Sequence, residues 1–167
     1  MRLLEMTEKV INWRTLPVKR DRRFDSLISE MTEGGASIFQ NLKDIMVFAA
    51  MVGYSHKSRR TLDSKDTISI ILDTYATDNK DSFIFLLALI TNKNAVCLKD
   101  ENLSESIKIF EEYCNAGLYI IEGWRDENPA ETMVDIILKN IYEQLANTQP
   151  ENSSIDNSKL ELPLGFS

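Results

Sequence analysis

Eight consecutive apolar residues, Ile45 to Val52, constrain the fold of this chain more than anything else in it. Asn41 can cap a helix there, with Asp44 in the reciprocal position three residues on. Gly53 stands where such a helix would end in a left-handed turn. A short helix that is apolar on every side has no solvent face, so it belongs in the middle of a core. A second run of the same length and character, Phe83 to Ile90, follows the cap-forming residues Asp78-Asn79-Lys80-Asp81. Each buried Phe, Leu or Ile is worth roughly 1.5–3 kcal/mol, against about 0–1 kcal/mol for a surface ion pair. The expectation is therefore two dry helices, 45–52 and 83–90, packed side by side and supplying most of the core.

The remaining segments read as helices around that pair. Leu3, Leu4, Met6, Val10, Ile11 and Trp13 are apolar anchors, and Pro17 stops a helix near them. Phe24, Leu27, Ile28 and Met31 recur at helical spacing, predicting an amphipathic helix over about 22–33 closed by Gly34-Gly35. Thr67 to Leu72 alternates and is rich in β-branched residues, which favours a short strand, with a short helix as the alternative. Asn102 with Glu105 starts a long helix ending near Gly123. Gly117 within it costs about 1 kcal/mol relative to alanine, which a close helix–helix approach or a helix break would explain. Asn128-Pro129-Ala130-Glu131 has the form of a helix start, followed by the stripe Met133, Ile136, Ile137, Ile141 and Leu145. Residues 148–167 read as a flexible tail. Its apolar positions Leu160, Leu162, Leu164 and Phe166 suit either a docking peptide or the protein's own surface. The fold class is mainly α. Residues 1–147 form one compact helical bundle of about five or six helices, with room for one short β element.

Composition narrows the function only by exclusion. With 43% hydrophobic and 27% charged residues, the chain is of the ordinary soluble type. No apolar run reaches the roughly 18 residues that span a bilayer. Glu5 and Glu8 interrupt any signal-like start, so a cytoplasmic protein with no membrane partner is expected. Cys97 and Cys114 are far apart in apolar surroundings and read as buried free thiols. A single histidine, His56, and no cysteine cluster leave no zinc spacing. Neither a G-x-S-x-G elbow nor a phosphate-cradling G-K-[ST] loop is present. No cofactor is expected. Glu111-Glu112, adjacent on a helix, face different directions. Together with Asp63 and Asp66 they are the acids that a magnesium-dependent nuclease would have to use.

Charge is unevenly distributed. Residues 1–60 hold 11 Lys/Arg and 7 Asp/Glu, whereas residues 61–167 hold 8 and 19. Two basic clusters carry the positive excess, one at Arg14, Lys19, Arg20, Arg22 and Arg23 and the other at Lys57, Arg59 and Arg60 beside His56. They could meet DNA phosphates if the fold brings them together. They could equally meet an acidic face on a partner protein or on a second copy of this chain.

Two stretches then carry a family resemblance. Lys43-Asp44-Ile45-Met46-Val47-Phe48-Ala49-Ala50-Met51-Val52-Gly53-Tyr54 is followed, after Phe83–Ile90, by Ile109-Phe110-Glu111-Glu112-Tyr113-Cys114-Asn115-Ala116-Gly117-Leu118. This order resembles the Dnd-system-associated protein 4 family. Its pattern runs K-D-x-x-x-F-A-A-x-x-G-Y and later F-E-E-Y-A-N-G-G; Cys114 and Ala116 depart from the second part. Members accompany bacterial genes for DNA phosphorothioation, which replaces a non-bridging backbone oxygen with sulfur and supports restriction of unmodified DNA. The resemblance implies a non-enzymatic accessory or adaptor subunit of such a restriction or antiphage defence system. Such a subunit would bind a larger protein of the same locus, with DNA contact and self-association as further expectations. It carries over no catalytic residue. The alternatives are a direct DNA-binding protein using 14–23 and 56–60, or a metal-dependent nuclease.

Overall fold

The computed structural model describes residues 11–33, 37–63 and 65–148. The Gly34-Gly35 stop and the tail from residue 149 on, with its Leu160–Phe166 end, lie outside the described residues. Among those described are six α-helices and one two-stranded sheet, so the mainly α expectation holds. The strands are β1 (Pro17–Asp21) and β2 (Thr67–Ile71). The helices are α1 (Asp25–Thr32), α2 (Leu42–Ser55), α3 (Leu72–Ala76), α4 (Asp81–Asn92), α5 (Leu103–Glu127) and α6 (Met133–Asn147). Short 3-10 turns sit at 13–15, 22–24, 95–98 and 100–102.

The axis of the molecule is α5, not the apolar pair. Its buried face runs through Ile107, Phe110, Cys114, Leu118 and Ile121. The helix α2 packs along it, and α4 and β1 pack on it elsewhere. As the all-round apolar run demands, α2 buries Ile45, Met46, Val47, Ala49, Ala50 and Val52. Gly117 is accounted for by a close approach: a Cβ on it would lie 1.7 Å from the Ala49 carbonyl oxygen. Gly53 does the same from the other side, where a Cβ would lie 2.1 Å from the Tyr113 carbonyl oxygen. Gly53 is thus a crossing residue inside α2 and not its terminator. The left-handed position falls four residues later, at Lys57 (φ 52°), after His56 and Lys57 donate their N–H groups to Val52 and Tyr54.

The second apolar run does not stay dry. In α4 only Ile84, Leu87 and Ala88 are buried, the i, i+3, i+4 set that faces the core. Phe83 and Leu86 are exposed, Leu86 by 50%. A helix laid on one neighbour buries one stripe, and an unbroken apolar run gives no hint of which residues lie outside it. The two runs share α5 as their main packing partner instead of forming a pair of their own.

The strand at 67–71 is real and has a partner. Antiparallel β1 pairs Val18 with Ile70 and Arg20 with Ile68. Pro17 begins β1, where a missing N–H is tolerated. The expected helix over 22–33 splits into a 3-10 turn and α1. Two helix ends also differ from expectation. The helix α5 continues past Gly123 to Glu127, and Asn128 closes it by donating Nδ2–H to the Trp124 carbonyl at 2.8 Å. The next helix starts at Met133, not at Pro129, because Thr132 is the working cap: its hydroxyl accepts from the Asp135 N–H at 3.3 Å. The stripe on α6 then divides, with Met133, Ile136 and Ile137 buried and Ile141 and Leu145 exposed.

Candidate functional site

The motif residues are held by the α2–α5 crossing and its rim. Lys43 Nζ reaches Asp78 Oδ2 and the Thr74 carbonyl, both at 3.0 Å. Lys80 pairs with Asp44 and, at 3.0 Å, with Asp78. These charges pin the start of α2 to the α3–α4 turn. The hydrogen bonds from Lys43 hold the Asp78 carboxyl below its ordinary range, and those to Asp44 hold the Lys80 ammonium above its own. At the far end Tyr54 meets Tyr113 edge-on, centroids 5.7 Å apart. Asn115, buried in α5, donates Nδ2–H to the Thr61 carbonyl at 2.8 Å and to the Arg60 carbonyl at 3.3 Å. The Arg60 N–H donates to the Glu112 carbonyl at 3.0 Å. The second motif therefore fastens the basic loop 56–61 to the long helix.

The fold does bring the two basic clusters together, around Tyr119. Arg60 lies over the Tyr119 ring with its guanidinium carbon 3.7 Å from the centroid, and Arg23 lies at 4.4 Å. The Tyr119 hydroxyl donates to Asp63 at 2.6 Å, which holds that carboxyl below its ordinary value and raises the phenol. Each arginine of the clusters also has an acid. Arg22 pairs with Asp66 at 3.0 Å, Arg23 with Glu122 at 2.7 Å, and Arg60 with Asp63 at 3.0 Å. Arg59 Nε donates to Glu112 at 3.0 Å, and Arg14 stands 3.8 Å from Asp73. Arg20 is not a surface group at all. It is 4% exposed, with Nη1 2.7 Å from Asp25 and donating to the Asp21 carbonyl at 3.1 Å. Lys19 and Lys57 are exposed.

The acids proposed for a metal go elsewhere: Asp63 to Tyr119 and Arg60, Asp66 to Arg22, and Glu112 to Arg59. Glu111 turns inward and accepts the Lys19 N–H at 2.6 Å, tying β1 to α5. Burial pushes its carboxyl up to about 7, against the pull of that hydrogen bond. Among the described residues, no three His, Cys, Asp or Glu side chains converge as metal ligands would. Both thiols are free; Cys114 is buried as expected and raised to about 12 by that burial, whereas Cys97 is only half-buried. No described helix is long and apolar enough to cross a membrane.

A family model for DNA sulphur modification system-associated protein 4 matches residues 17–160, a span that contains both motif stretches and the whole crossing. The chain belongs to that family. No curated protein and no solved structure matches it.

As a member of the DNA sulphur modification system-associated protein 4 family, the chain presents two surfaces that sequence reasoning misses. One is on α6, where Leu138, Ile141, Tyr142 and Leu145 are exposed, Tyr142 by 68% and Leu145 by 66%. Their i, i+3, i+4, i+7 spacing puts them on one face. The period-3.6 pattern is visible in the sequence, but it places Ile141 and Leu145 in the core, because burial cannot be read from periodicity. The other is the wet side of α4 together with Val96 and Leu98 of the turn beside it. The α6 stripe belongs to a helix that is nearly all exposed beyond Ile137, so this end of α6 stands away from the core.

Proposed function

We propose that this chain is a non-enzymatic adaptor subunit of a cytoplasmic DNA sulphur modification system linked to restriction or antiphage defence, and that it holds a larger protein of the same locus. The observation that carries this is the exposed stripe Leu138, Ile141, Tyr142 and Leu145. A helix face of this spacing is the form that docks into an apolar groove on a partner, and an apolar face left to water is costly unless covered. The motif residues support the same reading. They close the α2–α5 crossing and fasten its rim, so they maintain a shape. The test is co-expression with the products of the neighbouring genes and capture on the tagged full chain. Leu138→Ser with Leu145→Ser should cut capture of one such product at least tenfold while leaving the melting temperature within about 2 °C, since both residues are exposed. Equal capture by wild type and variant, or no product captured, refutes the reading. Light scattering on the same sample reports whether the stripe instead joins two copies.

A direct contact with DNA is the second reading, favoured by the meeting of the two basic clusters at Tyr119. It requires DNA phosphates to displace Asp63, Glu122 and Asp66 from their arginines, so it predicts steep salt dependence. Replacing Arg22, Arg23, Arg59 and Arg60 with glutamine should abolish a low-salt gel shift. No shift with the wild-type chain ends this reading.

A further inference from the structure

We propose that the cavity at the start of α4 is a docking pocket for a partner segment that carries an apolar or aromatic anchor side chain flanked by lysine or arginine. The inference rests on the adaptor reading and names a second surface for it. The cavity measures about 280 Å³ and is lined by Trp13, Phe85, Leu98 and Leu103 together with two acids, Asp81 and Asp100. Pockets that enclose whole small molecules run to roughly 300–1,000 Å³, so this one suits one or two side chains. Leu86 stands half-exposed on the same helix, and Val96 and Phe83 are exposed close by in chain order. No side chain of the described residues fills the space.

The partner's charge follows from the two acids of the lining. Neither Asp81 nor Asp100 has a cation partner among the described residues. Of the cations close by in the chain, Lys80 is paired with Asp44 and Asp78, and Arg14 lies over the Trp13 ring at 5.3 Å and faces Asp73. An apolar anchor entering the cavity would bring its neighbours against two unpaired carboxylates. Lysine or arginine there gains, and glutamate or aspartate is repelled. Both acids also sit in the first turn of a helical segment, where a carboxylate is favoured without any partner. Asparagine is close to aspartate in size, so the substitution removes the charge and keeps the shape of the lining.

The two tryptophans provide the readout, because Trp13 lines the cavity and Trp124 lies on α5 beside His56, centroids 6.0 Å apart. The full chain, labelled with ¹⁵N, is titrated with the blocked peptide Lys-Lys-Leu-Phe-Lys-Lys and separately with Glu-Glu-Leu-Phe-Glu-Glu. The Trp13 indole N–H should shift saturably with the basic peptide and not with the acidic one, and Trp124 should stay in place. Asp81→Asn with Asp100→Asn should weaken the basic peptide at least fivefold. No shift at Trp13, equal shifts with both peptides, or undiminished binding by the double variant overturns the pocket. The adaptor reading fails separately. If a neighbouring gene product binds wild type and D81N/D100N alike, the pocket has no role in holding it and the adaptor stands. If none binds the wild type, the adaptor falls and the peptide titration alone judges the pocket.

Discussion

Gly117→Ala tests the account of the motifs most sharply. In that variant a methyl group would stand 1.7 Å from the Ala49 carbonyl oxygen, where ordinary contact begins near 3.4 Å. The obstacle is backbone, which has no rotamer to yield, so α2 and α5 must part by more than an ångström. A gap of 0.5–1 Å already forfeits about a quarter to a half of the dispersion energy at a contact, and overpacking costs about 1–3 kcal/mol or more. The alanine returns about 1 kcal/mol through helix propensity. Because the obstacle is backbone, the cost lies at the upper end of that range, about 3 kcal/mol; the net loss is then ~2 kcal/mol, which lowers the melting temperature by roughly 4–8 °C in a domain of this size. Gly123 lies six residues along the same helix, and a Cβ added there would meet nothing within 4 Å. Gly123→Ala should therefore gain about 0.5–1 kcal/mol. Thermal unfolding followed by circular dichroism at 222 nm measures both. If Gly117→Ala melts at or above the wild type, or if the two variants shift in the same direction, the close crossing is not what holds these helices.

Two further outcomes follow from single contacts. Glu111 binds its proton up to about pH 7 when folded, against an ordinary value of 4.5. Between those limits the native state holds more protons than the unfolded chain, so stability falls as pH rises from about 4.5 to 7 and levels off above. Glu111→Gln keeps an acceptor for the Lys19 N–H and removes the charge. It should be more stable than wild type at pH 8 by up to about 3 kcal/mol, with no gain at pH 4.5, as read from urea unfolding across that range. Thr132→Ala should cost about 1 kcal/mol and more than Pro129→Ala, since the cap of α6 is Thr132; the reverse order in urea midpoints would return the helix start to Pro129.

Much of the fold is legible where one residue type admits one use. The run 45–52 has to be a core helix, and Gly117 in a long amphipathic helix has to mark either a close neighbour or a break. Strand β2 is visible from its β-branched alternation. Its partner is hidden because the inward positions of β1 are Val18 and Arg20, and an arginine there reads as surface. Only the structure supplies Asp25 and the Asp21 carbonyl that let it be buried. Asn128-Pro129 misleads because the same pair of residues ends one helix as readily as it starts another. The outer faces of α4 and α6 are misjudged for a plainer reason. Which side of an apolar helix is covered depends on what lies beside it in space, and periodicity carries no record of that. The sequence offers the meeting of the basic clusters only as a condition, and the acids that neutralise them come from positions as distant as Asp66 and Glu122.

The contact of Gly53 and Gly117 with opposing carbonyl groups has a bearing on how such chains can change over time. Backbone pressed against backbone leaves no room for independent drift on either helix. A side chain gained at one point of the seam has to be answered by a wider spacing along its whole length, and the turn that Glu112 and Asn115 grip would be carried away with it. The outward faces carry no such constraint, whereas either glycine of the seam can gain a side chain only if the spacing of both helices changes with it.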